Sequence, residues 1–242
     1  MIDLSSYTLE SLGQDAEFAL YRGHRETGPS HILVVAPLRR RPGQGTLKRL
    51  EYEYAIRARL DPAWAVLPLD LVRDNQQTVL VLADPGGEPL TRILEKGLEL
   101  AQLLRIAIGV AAALSRLHER GLIHKDIKPA NILADRMSGR VWLTGFGTAS
   151  NLPRERQAPG PPETIAGTLA YMAPEQTGRM NRSIDSRSDL YSLGVTLYEM
   201  LTGGLPFTGS DPLEWSTATS QENQRHRKNG ENGYHPRCRP SS

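Results

Sequence analysis

The hydrophobic pattern of this 242-residue chain changes at Asp84-Pro85-Gly86-Gly87, a turn-forming sequence. Before this break, short stretches rich in β-branched and leucine residues are typical of strands. They predict five strands, at residues 7–12, 18–22, 31–35, 66–72 and 78–82. One helix is expected among them, because Leu47, Leu50 and Tyr54 recur at helical spacing after Thr46, which can cap the helix.

After the break, the apolar residues follow helical periods. Residues 99–120 carry a broad apolar face and end at Gly121, which suits a helix C-terminus. Residues 188–201 predict a second helix, which stops before Gly203-Gly204. The pattern therefore predicts an α+β fold with a small β-rich lobe at 7–83, a hinge at 84–88 and a mainly helical lobe at 89–215.

The charge balance excludes several classes of partner. The formal net charge is +2, from 29 Lys and Arg against 27 Asp and Glu, so no strong field attracts nucleic acid or a membrane. The longest apolar run, Ile106–Leu114, is much shorter than a membrane span. Cys238 is the single cysteine and cannot form an internal disulfide. We therefore expect a cytoplasmic protein that binds neither nucleic acid nor membrane.

The C-terminal stretch 216–242 contains no Val, Ile, Leu, Met, Phe or Trp. Such a segment cannot bury a core, so the composition predicts a disordered basic tail, with an arm for nucleic acid or an acidic partner as the alternative. The helical lobe then ends early. We expect it to be incomplete, with apolar surface exposed on the 188–201 helix.

The loop His124–Leu133 carries the residues with the clearest chemistry. Asp126 can accept the proton of an attacking hydroxyl, Lys128 can screen a moving phosphoryl group, and Asn131 can offer an oxygen to Mg²⁺. An ordinary surface loop is the alternative for this loop taken by itself. Three further blocks follow in order, at 144–147, 167–175 and 189–194.

Together, these blocks resemble protein kinases, and Gly167-Thr168 resembles the serine/threonine type. The resemblance covers about residues 7–210. Residues 171–207 are similar to the N-terminal kinase module of large bacterial signalling proteins that continue into an ATPase, a GAF sensor and a histidine kinase. A small-molecule phosphotransferase, the rival class, is not expected to carry the Ala173-Pro174-Glu175 block.

The resemblance implies a bilobal fold that uses ATP and Mg²⁺ and acts on a protein substrate or signalling partner. It makes Asp126 and Lys128 catalytic and Asn131 a metal ligand. It assigns nucleotide contacts, each of which is also an ordinary core residue, to Leu12, Gly13, Leu20, Val34, Leu82, Ala83 and Leu133. It assigns structural or regulatory roles to Glu53, His124, Phe146, Thr168, Glu175 and Asp189, and Glu175 would pair with an arginine in later helices.

The sequence departs from the kinase pattern at three places. Of the glycine-rich phosphate loop only Gly13 remains, and Asp15 and Glu17 add negative charge near the phosphates. Ala36 stands where a phosphate-binding lysine is expected, which leaves Glu53 without its partner. Gly145 replaces the metal-binding aspartate. We therefore expect both ATP and Mg²⁺ to bind weakly.

Two functions stay open at this point. In the first, the domain is a working or weak serine/threonine kinase, in which Arg22 or the arginines at 39–41 replace the lysine. Three adjacent arginines are also typical of a solvated edge. In the second, the domain is a pseudokinase that binds partners and switches between states without chemistry.

Overall fold

Five antiparallel strands form the sheet at the N-terminal end of the chain. In the computed structural model they are β1 (Thr8–Gln14), β2 (Phe18–His24), β3 (His31–Pro37), β4 (Pro68–Asp74) and β5 (Gln77–Ala83). Their order in the sheet is β1-β2-β3-β5-β4. All five strands predicted from the sequence are confirmed, with ends that differ by one or two residues.

The structure describes residues 2–25, 31–74, 77–151, 169–177 and 183–207. Thr168 and the stretch 216–242 lie outside these ranges, so the predictions made for them stay predictions. Residues 1–206 group into one unit, which contains both the sheet and the helices that follow it.

The two faces of the sheet bury different side chains. One face packs Leu33 of β3 and Leu80 of β5 against Leu50 and against Leu133 from the helical part. The other face buries Ile32 and Val34 of β3 with residues from the N-terminal segment and from β4 and β5. Because side chains alternate along a strand, a shift of one residue in β3 moves a side chain to the opposite face.

Helix α1 (Gln44–Ala55) packs against the sheet, and a short 3₁₀ turn, Ile56–Arg59, continues it. The cap predicted at Thr46 is wrong, because Gly43 is the N-cap and Thr46 lies inside the first turn. Gly43 makes no side-chain capping bond. Solvent can satisfy the free N–H groups at this exposed end, so a capping side chain is not required.

After the sheet, helices and short strands form the rest of the described chain. The helices are α2 (Leu90–Glu95), α3 (Leu100–Glu119) and α4 (Ser186–Thr202). The short strands are β6 (Glu88–Pro89), β7 (Leu122–Ile123), β8 (Ile132–Ala134), β9 (Val141–Leu143) and β10 (Ser150–Asn151). They pair as β6-β8-β9 and β7-β10.

Helix α3 is the centre of the larger hydrophobic core. Its N-terminus has a capping box in which Glu99 and Gln102 exchange hydrogen bonds with the backbone. Its buried face, which includes Ile106, Val110 and Leu117, packs in one cluster with Phe146. Among the described residues, α3 is the one helix whose length and composition would suit a membrane span, and 33% of that stretch is buried within the fold.

Helices α3 and α4 both carry exposed apolar side chains. On α4, Leu190, Tyr198 and Leu201 are 54%, 46% and 57% exposed. On α3, Leu104 and Ile108 are 51% and 70% exposed. Apolar surface is therefore exposed on α4, the helix where the sequence predicted it, and on α3, where it did not.

Candidate active site

Asp189 on α4 holds the loop that carries the predicted catalytic residues. It is fully buried, and its carboxylate accepts hydrogen bonds from the backbone N–H of His124 at 2.9 Å and of Lys125 at 2.8 Å. His118 on α3 contributes Nε2 at 2.8 Å from Asp189 Oδ2. Lys125 has φ of 70°, a left-handed conformation that is rare for a residue with a side chain. The bonds to Asp189 therefore fix an unusual backbone turn just before Asp126.

His124 and Phe146 link this loop to the core. The His124 ring lies 4.8 Å from the Phe146 ring, and Trp64 packs edge-on to Phe146 at 6.4 Å. His124 Nε2 lies 3.0 Å from the carbonyl oxygen of Thr144, and Nδ1 accepts from the N–H of Asp126 at 3.3 Å. Burial lowers the pKa of His124, so the ring is neutral and donates from Nε2.

The structure brings Asp126, Lys128 and Asn131 together. Lys128 Nζ lies 3.1 Å from Asp126 Oδ2, and the Asn131 side-chain amide donates to the same oxygen at 2.9 Å. Asp126 Oδ1 is buried and has no hydrogen-bond partner among the described residues. A buried carboxylate oxygen without a donor is suited to receive a hydroxyl group. This side of the site has the geometry that phosphoryl transfer needs.

The metal side of the site does not fit Mg²⁺. Gly145 has φ of 78°, and a Cβ added there would lie 2.7 Å from Asn131 Oδ1. The side-chain amide of Asn131 thus lies against the position that a Cβ at residue 145 would take. Within the described ranges, no group of three or more His, Cys, Asp or Glu side chains is placed to hold a metal ion. Mg²⁺ usually needs one or two carboxylates, so these residues make a poor site.

Glu53 on α1 is joined to the turn at Gly145. Its Oε1 accepts the N–H of Gly145 at 3.1 Å. Burial raises the pKa of Glu53 to about 7, although the N–H groups of residues 145–147 and Arg49 favour the ionised form. In the kinase resemblance, the carboxyl at this position pairs with a lysine. In this chain the Glu53 carboxyl instead binds the backbone of the turn at Gly145.

The alignment of β3 deduced from the sequence is wrong by one residue. Ala36 was expected to face the cleft at the lysine position, and Val34 was expected to contact nucleotide. Both belong to the opposite face of the sheet, where Val34 is buried, while Val35 lines the cleft. The register is set by the pairing of Leu20 with Val35, which cannot be seen in a single strand sequence. Val35 offers no charge to a phosphate.

The cleft beside these residues encloses about 740 Å³, part of it open to solvent. Of the predicted nucleotide contacts, Gly13 and Leu20 line it. Leu12, Leu82 and Leu133 are no more than 1% exposed and pack with Leu33 in the core behind it. Ala83 pairs with Ile32 in the sheet and is not among the lining residues. Five of the seven predicted contacts, including Val34 on the opposite face of the sheet, therefore do not line the cleft, and Gly13 and Leu20 do.

Arg49 is a charged cleft residue that the sequence reasoning missed. It lies one helical turn before Glu53 on α1, lines the cleft, forms an ion pair with Glu17, and lies 4.0 Å from Asp126 Oδ2. Residues four positions apart on a helix share a face, so the spacing from Glu53 was the available signal. The expected substitutes are elsewhere, because Arg22 pairs with Asp84 at 2.6 Å and the arginines at 39–41 are exposed.

Lys128 is also engaged by the β1–β2 turn. Its Nζ lies 2.9 Å from Asp15 Oδ2. Burial by itself would lower the pKa of Lys128, but the carboxylates of Asp126 and Asp15 outweigh it and hold this pKa above its usual value. Burial likewise opposes ionisation of Asp15, yet Lys128 and backbone N–H groups hold its pKa below the usual value. Both groups are therefore charged at neutral pH.

Glu175 has a partner that was not expected. Ser188 Oγ donates to Glu175 Oε1 at 2.7 Å. Glu175 is partly exposed, so the remaining lone pairs can be hydrated. Ser188 is not the arginine partner that the resemblance implies, so the pairing of Glu175 with an arginine stays a prediction.

Comparisons with known proteins agree with this geometry. The family model for the protein kinase domain matches residues 24–237. A probable serine/threonine-protein kinase of Clostridium perfringens is 35% identical over 178 residues, which cover 73% of this chain and 25% of that protein. Serine/threonine-protein kinase PknB of Mycobacterium tuberculosis is 31% identical over 224 residues, covering 77% of this chain and 35% of that protein.

The fold and the matched residues thus define a protein kinase domain of the serine/threonine type. This chain belongs to the protein kinase family, and it spans about a quarter to a third of the length of these two relatives. The family match begins at residue 24, so β1 and nearly all of β2, with the altered phosphate loop, lie outside it.

Proposed function

We propose that this kinase-like domain is a pseudokinase, which binds a signalling protein and switches state without Mg²⁺-dependent phosphoryl transfer. The observation that carries the proposal is the conformation at Gly145. There the metal-binding carboxylate is missing, the left-handed backbone disfavours a side chain, and the amide of Asn131 lies against the position of a Cβ. Without a metal to bridge the phosphates, most of the electrostatic stabilisation of the transferred group is lost.

The phosphate and adenine sides support the same proposal. Val35 supplies no cation, and the two cations nearest to Asp126 are paired with carboxylates of the β1–β2 turn. Of the residues expected to contact nucleotide, Leu12, Leu82 and Leu133 are buried and pack in one cluster. ATP is therefore expected to bind weakly, as the sequence suggested.

A switch needs an element whose movement reaches the site, and α1 is that element. Glu53 binds the N–H of Gly145, and a Cβ at Gly147 would lie 2.9 Å from the backbone oxygen of Arg49. The helix and the turn are thus in close backbone contact. A partner that displaces α1 would move the turn at 145–147 with it.

A second candidate function rests on Asp126. Its unpartnered Oδ1 and its contacts with Lys128 and Asn131 are the arrangement of a working catalytic loop. The names of the relatives describe kinases. In this alternative the domain transfers phosphate slowly to a protein serine or threonine.

The test is phosphate transfer from γ-labelled ATP to the protein itself and to a generic basic protein, with Mg²⁺ and with Mn²⁺. We expect no incorporation above that of Asp126→Asn. The matched control is Asp135→Asn, which changes a half-buried carboxylate outside the cleft. Incorporation that Asp126→Asn removes and Asp135→Asn retains would establish the kinase and overturn the pseudokinase.

A further inference from the structure

The turn between β1 and β2 carries two carboxylates at the cleft: Asp15 lines it, and Glu17 pairs with Arg49, which lines it. Asp15 Oδ2 lies 2.9 Å from Lys128 Nζ, and Glu17 forms an ion pair with Arg49. These contacts join the turn to the catalytic loop, 113 residues away in the chain, and to α1. The turn therefore connects three elements around one cleft.

The position of Asp15 is set by its own turn. Asp15 Oδ1 accepts the N–H groups of Glu17 and Phe18, both at 2.8 Å, and its backbone N–H donates to the carbonyl oxygen of Phe18 at 2.9 Å. One carboxylate oxygen thus shapes the turn, and the other is left directed at Lys128. The ion pair costs little conformational entropy, because the acid is already held in place.

The carboxylates also decide the sign of the local charge. Asp15, Glu17 and Asp126 outnumber the cations Lys128 and Arg49, so this group of five side chains is net negative. Without the two acids of the turn, the group would be net positive. Lys128 and Asp126 have side chains only 7% and 8% exposed, so solvent screens these charges weakly.

We propose that Asp15 and Glu17 form an anionic plug, which occupies Lys128 and Arg49 in place of ligand phosphates, and that a metal-free polyphosphate binds there once the plug is released. This inference deepens the proposed function, on which it rests, by assigning the regulation of the same cleft. The two carboxylates compete with a polyphosphate for the same cations, so the plug keeps the cleft closed to such ligands.

The decisive variant is Asp15→Asn combined with Glu17→Gln. Asparagine keeps a side-chain oxygen that can accept the N–H groups of Glu17 and Phe18, so the turn is retained while the charge is removed. Inorganic tripolyphosphate and ATP, both in EDTA, are titrated by calorimetry into the full chain. We expect the dissociation constant for each probe to fall about tenfold or more relative to the wild type.

A charge-matched control separates the plug from a general gain in positive charge. Glu10→Gln combined with Glu51→Gln removes two exposed acids, one on β1 and one on α1. We expect this control to bind both probes as the wild type does. An equal gain in the control and in the plug variant, or no gain in a folded plug variant, overturns the proposal.

A third variant adds Arg49→Gln to the plug variant, and it should reduce the gain because one of the two released cations is then lost. If the double plug variant does not fold, Glu17→Gln by itself is used. It frees only Arg49 and is expected to improve tripolyphosphate binding about threefold, and no improvement would count against the plug.

These measurements are independent of phosphate transfer. If the wild type transfers phosphate from Mg·ATP, the proposed function fails, while the comparison between the plug variant and its control still measures the plug. If the plug fails, the absence of Asp126-dependent transfer still supports a pseudokinase.

Discussion

The two sides of the cleft differ in which residues of the kinase pattern are present. On the side of the catalytic loop, Asp189, His124 and Asn131 make the hydrogen bonds that hold the loop. On the phosphate and metal side, Val35 and Gly145 have no group for a phosphate or a metal, and the β1–β2 turn carries acids.

The difference shows which residues of the site also stabilise the fold. Asp189 satisfies two backbone N–H groups in a fully buried position, and Phe146 fills the core between His124 and Trp64. Removing either leaves unsatisfied polar groups or a cavity. A phosphate-binding lysine or a metal-binding aspartate carries no such cost, so its loss does not by itself destabilise the fold.

The largest effect is expected for Asp189→Ala. The change leaves the N–H groups of His124 and Lys125 buried without an acceptor, and it should lower the free energy of unfolding by about 4 kcal/mol. Urea denaturation measures it. The control is Asp185→Ala, which removes the side-chain cap of α4 and should cost about 1 kcal/mol. Equal losses would show that the buried network does not dominate the stability of this side.

Glu53 makes the stability depend on pH. Its pKa is about 7 in the fold against an ordinary value of 4.5, so between these pH values the folded state binds more protons than the unfolded state. The contribution is complete below pH 4.5 and is lost as the pH rises through 7, a fall of about 3 kcal/mol.

Glu53→Gln should remove this fall, and Glu51→Gln, an exposed glutamate on the same helix, should retain it. Denaturant unfolding of the three proteins at a series of pH values between 4.5 and 8 measures the difference. Parallel curves for the wild type and Glu53→Gln would contradict a raised pKa for this carboxyl.

Gly145→Ala tests whether the metal side can be rebuilt. The residue has φ of 78°, and its Cβ would meet Asn131, so the change should cost about 2 kcal/mol. Gly194→Ala on α4 is the control, because no non-neighbouring atom of the described residues lies within 4 Å of a Cβ added there and the backbone is helical. Thermal melts should show opposite shifts, with Gly194→Ala stabilising. A neutral Gly145→Ala would mean that an aspartate fits there.

The smallest expected effect compares Val35→Lys with Ala36→Lys. The first places an ammonium group in the cleft that Glu53 also lines, and the second places it on the opposite face, which packs Val34 and Tyr21. Val35→Lys should be the more stable of the two by about 1 kcal/mol, and it should lower the pKa of Glu53. A more stable Ala36→Lys would restore the alignment deduced from the sequence.

The local elements and the catalytic loop could be predicted from the sequence alone. All five strands and both long helices have periodic patterns that a single chain reveals, and Asp126, Lys128 and Asn131 lie within six residues of each other. Hydrophobic period and short motifs are local properties, so they can be read without a partner strand.

Which residues meet in the cleft could not be predicted from the sequence and is seen only in the tertiary structure. The register of β3 depends on its pairing with β2, and this pairing puts Val35 rather than Ala36 at the site. The ion pairs of Asp15 with Lys128 and of Glu17 with Arg49 join residues 113 and 32 positions apart. Contacts over such separations depend on how the sheet, α1 and the loop pack together, and no local pattern encodes that packing.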